Sequence, residues 1–182
     1  MVNIYKVKLT GLQQGILRLL YVHAGASLNA RNIAKLLEVT PPAVSKAVPG
    51  LEKMDLINVT KDKESKRYDI TLNRENQHAI WLKRADNLKL LVESGIVRML
   101  HESLPGATVV LFGSYAFGED TITSDVDLAV IGAKDPGLDM SRYSRLIGRE
   151  IIINYYPSWT SIDQHLKNNI LNGIIIRGGV SL

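Results

Sequence analysis

Two aspartates one residue apart, Asp125 and Asp127, stand at the head of the apolar run Val126-Asp127-Leu128-Ala129-Val130-Ile131. On an extended strand alternate side chains share a face, so the two carboxylates point the same way, about 6 to 7 Å apart along the strand, while Val126, Leu128 and Val130 enter the core. Two such groups do not both stay ionised side by side without a counter-charge, and a divalent cation with oxygen ligands is the natural resolution. Upstream, the branched apolar run from Ala107 to Phe112 ends in Gly113-Ser114. Glycine after a strand lets the backbone approach a ligand closely, a helix starting there presents free N–H groups to an anion, and Ser114 adds a hydroxyl. The two halves together would hold a polyphosphate by its oxygens at one end and by its magnesium ions at the other.

The elements that must carry these groups are legible. A buried strand precedes Gly113, a second strand carries the two aspartates, and a third is expected over Arg149-Glu150-Ile151-Ile152-Ile153-Asn154-Tyr155. A helix over 162–171 ends at Asn172-Gly173 before the last apolar run, Ile174-Ile175-Ile176-Arg177. From about Asn76 to Leu104 the chain contains no proline and reads as a helix that Gly95 interrupts and Pro105-Gly106 closes.

Ahead of it lies a different pattern. Leu12, Ile16, Leu19 and Leu20 form one helix stripe. Asn29 caps a second helix with Ile33, Leu36 and Leu37 inward, and Thr40-Pro41 opens a third whose inner face is Val44, Val48 and Leu51. Pro49-Gly50 predicts that this third helix is short or bent, since proline removes a backbone bond and crowds the carbonyl of Ser45. Two strands, Leu56-Ile57-Asn58-Val59 and Tyr68-Asp69-Ile70-Thr71-Leu72, flank a polar, mostly basic tip over 60–67. Helix-turn-helix followed by a charged hairpin resembles the winged helix of multiple-antibiotic-resistance-type prokaryotic regulators. That resemblance implies duplex DNA as a partner, with Ser45 and Lys46 facing the major groove and Lys61, Lys63, Lys66 and Arg67 supplying the wing. A dimerisation or protein-contact module with solubilising lysines is the alternative reading of the same residues.

Composition narrows the chemistry. The chain has 182 residues and no cysteine, which excludes disulfide frameworks, thiolate zinc sites and cysteine nucleophiles together. The four histidines, at 23, 78, 101 and 165, have no metal-ligand spacing. The formal net charge of +4 is unevenly spread: residues 1–75 carry 12 Lys+Arg against 7 Asp+Glu, whereas 76–182 carry 10 against 11. The basic excess therefore lies wholly in the front half. The N-terminus lacks a secretory pattern, and no run approaches the roughly 18 uninterrupted apolar residues of a membrane span, so a cytoplasmic protein is expected, without membrane contact.

Residues 111–130, Leu-Phe-Gly-Ser-Tyr-Ala-Phe-Gly-Glu-Asp-Thr-Ile-Thr-Ser-Asp-Val-Asp-Leu-Ala-Val, with ten residues between Ser114 and Asp125, closely resemble the Gly-Ser...Asp-x-Asp motif of the DNA polymerase beta nucleotidyltransferase superfamily, particularly its minimal prokaryotic members. A solvated edge strand would account for an isolated Asp-x-Asp but not for the whole constellation. The resemblance implies an α/β two-domain chain: a winged helix over 1–75, a helical linker over 76–95, and an α+β nucleotidyltransferase fold with a mixed sheet over 96–182. It implies that Asp125 and Asp127 coordinate two Mg2+ ions, and that Gly113 and Ser114 contact the β- and γ-phosphates of a nucleoside triphosphate. An acceptor hydroxyl would then attack the α-phosphorus in line and release pyrophosphate. A third carboxylate on a neighbouring strand would activate that hydroxyl, and Glu150 is the only acid in the expected strand, on the face shared with Asn154. Where the family commonly carries a basic residue, this chain has Phe117, and Lys134 or Arg149 are the candidate replacements. Two functions are thus expected: transfer of a nucleoside monophosphate, or DNA-binding regulation, antitoxin-like, with a degenerate transferase domain. A symmetric dimer would place two wings on one duplex.

Overall fold

The computed structural model describes residues 9–61 and 67–180. The chain divides into two compact units, Met1–Ala79 and Ile80–Leu182.

The first unit opens with α1 (Gly11–Val22), where the Thr10 hydroxyl accepts from the Gln13 amide and the Gln13 side chain accepts in return from the Thr10 backbone. Ile16, Leu17, Leu20 and Tyr21 form its buried face. In α2 (Ala30–Leu36), capped by Asn29, Ile33 and Ala34 are buried and Leu36 is 53% exposed, against expectation. With 33 and 34 both inward, the inner face centres near position 37, and Leu36 falls about 110° away. The third helix, α3 (Pro41–Lys53), starts on Pro41 as expected and buries Val44, Val48 and Leu51. Of the two expectations, short or bent, the first is corrected, because the helix runs for 13 residues with Pro49 inside it. Gln13 of α1 donates its side-chain amide to the Ala47 carbonyl at 3.2 Å, tying α1 to α3 in the turn that holds Pro49. A Cβ on Gly50 would lie 2.5 Å from that amide nitrogen, so Gly50 makes room for the brace.

Asp55, at φ 58°, turns the chain out of α3, and its carboxylate accepts from the side-chain amides of Asn73 and Asn76, both at 2.9 Å. Strands β1 (Ile57–Lys61) and β2 (Tyr68–Leu72) then pair antiparallel, Ile57 opposite Leu72 and Lys61 opposite Tyr68. Leu28 forms an isolated antiparallel bridge with Ile70 beside this two-stranded sheet.

The expected long helix breaks where Gly95 adopts φ 83°, giving α4 (Gln77–Ser94), all but the first turn of which falls in the second unit, and α5 (Ile96–Ser103). A four-stranded sheet follows in the order β5-β4-β3-β6, built from β3 (Thr108–Phe112), β4 (Val126–Ile131), β5 (Ile151–Tyr156) and β6 (Ile174–Arg177). β3 is antiparallel to β4 and β6, and β4 is parallel to β5, so the sheet is mixed. Its faces bury alternate residues. Val109, Leu111, Val126, Leu128, Val130 and Ile151 join Leu91, Ile96 and Leu100 in one cluster. Val110, Phe112, Ala129 and Ile131 join Trp159, Ile162 and Ile170 in the other. The C-terminal helix is shorter than expected, α8 (Gln164–Leu171), because the Asp163 side chain caps it after a 3-10 turn at Trp159–Ser161. Between these lie α6 (Gly113–Phe117) and α7 (Ser141–Ile147). Among the described residues, no helix is long and apolar enough to cross a membrane.

Candidate functional site

Strand pairing brings the two halves of the motif together. Phe112 pairs with Asp127 across β3 and β4, so the turn after Phe112 lands on the second aspartate. Gly113 has φ 72°, and a Cβ there would lie 2.7 Å from Asp127 Oδ2. A side chain is excluded by conformation and by contact at once. Gly118 closes α6 at φ 77°, where a Cβ would lie 2.7 Å from the Ile80 carbonyl and 2.9 Å from the Arg84 nitrogen, so α6 packs directly on α4.

The loop from Gly118 to Asp125 is held from beneath. Asp120, 1% exposed, accepts from Lys83 Nζ and from Asn87 Nδ2 at 2.7 Å, and lies 3.5 Å from Arg149 Nη2. Asn87 also donates to the Tyr115 carbonyl at 2.9 Å, tying the same cluster to α6. At the far end of the loop, Ser124 Oγ accepts from the Thr121 amide at 2.9 Å.

Asp125 and Asp127 are both half-buried. Burial first, and the neighbouring Asp125 charge second, raise the Asp127 carboxyl above the ordinary aspartate range. A cation at this position would relieve both effects, and two carboxylates beside a turn with no room for a Cβ form a hard-oxygen donor set that fits Mg2+. Glu150 stands just before β5, where its carbonyl accepts from the Val126 amide at 2.8 Å and its side chain is exposed. In the parallel register Asp127 is level with Ile152 and Ala129 with Asn154. On the face that bears the aspartates, β5 therefore contributes Glu150, Ile152 and Asn154 in succession, and the residue beside Asp127 is an isoleucine 36% exposed. Among the described residues, no group of three His, Cys, Asp or Glu side chains is placed to hold a metal ion.

The residues expected to replace a phosphate-binding cation lie elsewhere. Arg149 is buried against Asp120, and Lys134 follows the far end of β4. The cation beside Phe117 is Arg84, whose guanidinium carbon lies 5.8 Å from the Phe117 ring centre and 5.0 Å from that of Trp81. Sequence reasoning misses it because α4 and α6 are separated by more than a strand of chain; the only signal is an Arg three residues after a Trp. Trp159 is 8% exposed in a core cluster, and burial, assisted by the Asp135 charge, pushes the Tyr155 hydroxyl up to about 12. Both are packing residues.

In the first unit, Ser45 and Lys46 are exposed on α3, Lys61 is exposed on β1 with its ammonium 5.9 Å from the Tyr68 ring centre, and Arg67 is exposed just before β2. Lys63 and Lys66 lie outside the described residues. Arg67 and Tyr68 also line a depression of about 230 Å³ with Arg31 of α2, a cation that the sequence pattern does not connect with the wing.

Comparison with known proteins agrees with this division. Residues 9–68 match the MarR family and residues 94–169 match the nucleotidyltransferase domain. The expected winged helix followed by an α+β domain with a mixed sheet is borne out. No curated protein matches the chain. Similar solved structures include the adhesin competence repressor AdcR from Streptococcus pyogenes, 26% identical over 57% of this chain and 72% of that one, with a TM-score of 0.44. Another is MepR of S. aureus, in complex with DNA, 28% identical over 52% of this chain and 80% of that one, with a TM-score of 0.38. A third is ZitR of Lactococcus lactis, described as a zinc-responsive MarR family member, 21% identical over 58% of this chain and 70% of that one, with a TM-score of 0.42.

Proposed function

We propose that this chain, in which a MarR-family winged helix precedes a nucleotidyltransferase domain, is a DNA-binding regulator whose second domain binds a nucleoside triphosphate with Mg2+. Ser45 and Lys46 read or line the major groove, and Lys61, Lys63, Lys66 and Arg67 neutralise phosphates from the wing. In the second domain the Gly113 and Ser114 amides and the Ser114 hydroxyl donate to phosphate oxygens, while Asp125 and Asp127 supply hard oxygen ligands. Bound Mg2+ supplies charge neutralisation of the polyphosphate and polarisation of the phosphorus under attack.

The observation that carries this reading is the contact of Gly113 with the Asp127 carboxylate, which joins the anion-binding turn to the cation-binding pair at one point. A second observation bears on whether transfer follows. Attack by an acceptor hydroxyl needs a base beside the cation-binding pair, and the position level with Asp127 is Ile152. This favours holding the nucleotide over transferring it. The transfer reading rests on Glu150, the carboxylate on the same face one step toward Asp125, which would accept the hydroxyl proton while pyrophosphate leaves.

The test is incubation of α-labelled nucleoside triphosphates and Mg2+ with the protein, duplex DNA and a native lysate. Mg2+-dependent binding that is lost in Asp125→Ala/Asp127→Ala, without covalent label on any component, is the expected result. Covalent label that disappears in Glu150→Gln would establish transfer instead, and absence of Mg2+-dependent binding would refute both.

A further inference from the structure

Gly113, Ser114, Asp125 and Asp127, the residues assigned to the nucleotide, include no positive side chain. Gly113 and Ser114 are neutral and Asp125 and Asp127 are negative, so a Mg2+-bound triphosphate, itself anionic, would meet excess negative charge. Two carboxylates can share the divalent ion with the phosphates, but the phosphate oxygens on the other side of the turn still need a cationic partner. Lys83 and Arg149 are engaged beneath the loop by Asp120.

Arg84 meets the requirement. It lies on α4 at the point where that helix touches Gly118, the residue that closes α6. Its guanidinium lies beside Phe117 and Trp81, with no carboxylate pairing with it among the described residues. Arginine carries its charge at every working pH, its plane is weakly hydrated, and contact with aromatic faces leaves its N–H edge free to form paired bonds with phosphate oxygens. Phe117 follows Ser114 by three residues in α6, so the two side chains are neighbours on the helix surface, about 5 to 6 Å apart at Cβ. The aromatic contact thus places the cation beside Phe117, the residue one helical turn along α6 from the phosphate-binding hydroxyl. Trp81, 55% exposed, also contacts the Arg84 guanidinium and is an optical reporter of whatever binds there.

We propose that Arg84, steadied by Trp81 and Phe117, contacts the triphosphate of the Mg2+-bound nucleotide seated at Gly113-Ser114. The proposal rests on the nucleotide-binding reading above and adds the cation that reading lacks.

The experiment titrates Mg–ATP, Mg–GTP, Mg–CTP, Mg–UTP and Mg–tripolyphosphate into wild type, Arg84→Ala and Arg84→Lys, by calorimetry and by the fluorescence of Trp81 in a Trp159→Phe background. Wild type is expected to bind one or more of the nucleotides, and tripolyphosphate, with a change in Trp81 emission. Arg84→Ala should weaken both by about ten- to a hundredfold, and Arg84→Lys by less, since it keeps the charge and loses the planar fork. Weakening confined to the nucleotides, with tripolyphosphate affinity unchanged, overturns the assignment of Arg84 to the phosphates. Equal affinities in all three proteins overturn the proposal while leaving the nucleotide-binding reading intact. Failure of wild type to bind any of the five ligands overturns both. If Arg84→Ala does not fold, Arg84→Lys and Arg84→Gln decide between these outcomes.

Discussion

Replacing Gly113 by alanine separates backbone strain from damage to the site, because Gly132 is an internal control. Gly113 has φ 72° and Gly132 has φ 88°, so alanine at either position is forced into the left-handed region, at a cost of about 1 to 2 kcal/mol. Only at Gly113 does the new methyl meet anything: its carbon would lie 2.7 Å from Asp127 Oδ2, whereas at Gly132 nothing lies within 4 Å. Ordinary contact begins near 3.4 Å, so the carboxylate must retreat by about 0.7 Å. Ligand distances to a bound cation tolerate only about 0.2 Å, so that retreat removes a ligand rather than weakening it. Both variants should lose similar stability by urea denaturation followed through Trp159, which is buried in the second unit. In calorimetric titration with Mg–ATP, or whichever nucleotide wild type binds, Gly113→Ala should lose at least about tenfold in affinity and Gly132→Ala should match wild type. Equal affinities in the two variants would falsify the contact between the turn and the carboxylate as the basis of binding.

Four further outcomes are expected. Because burial raises the Asp127 carboxyl above its unfolded value, the native state holds that proton more tightly, and the group's contribution to stability is present at low pH and lost as pH rises through the native value. Metal-free Asp127→Asn should therefore melt higher than wild type at neutral pH, with the difference shrinking on acidification, and Mg2+ stabilisation of wild type should fade at a higher pH than for an ordinary aspartate; a thermal-shift series from about pH 4 to 8 measures both. Asp120→Ala leaves Lys83 and Arg149 buried without their carboxylate and should cost about 3 to 5 kcal/mol by denaturant titration, with Asp120→Asn costing less. Lys46→Ala and Lys61→Ala should each weaken duplex binding across sequences and reduce the slope of log K against log salt by about 0.9 for each phosphate no longer neutralised, as read by fluorescence anisotropy. Ile152→Asp places a carboxylate level with Asp127 and, on the proposed nucleotide-holding function, should confer label transfer from an α-labelled triphosphate; a silent variant with intact binding removes Ile152 as the reason.

Much of this protein is legible in residue order alone, because the relevant physics is local. The Asp-x-Asp pair shares a face through the two-residue period of a strand, and Gly113-Ser114 follows a run too apolar to be anything but buried. The winged helix is equally plain from three short apolar stripes and a basic hairpin. Local reasoning fails where a distant partner intervenes. Pro49 does not shorten α3, whose buried Val44, Val48 and Leu51 pack on both sides of it while Gln13 of α1 ties in at the Ala47 carbonyl. Leu36 turns outward, because the packing of Ala34 rotates the inner face of α2.

Strand register and helix packing decide the rest. That Asp127 touches Gly113 follows from Phe112 pairing with Asp127, and that its other neighbour is Ile152 follows from the parallel register of β4 and β5. Shifting a register by one residue exchanges every face, and no property of either strand alone specifies which residues stand level. Arg84 reaches Phe117 only because Gly118 lets α6 close on α4. Residue types determine which chemistry this chain can attempt, since spacing along one strand or turn is covalent geometry. Which carboxylate, cation or apolar side chain stands beside that chemistry depends on segments far apart in the chain meeting one another, and they meet only once it has folded.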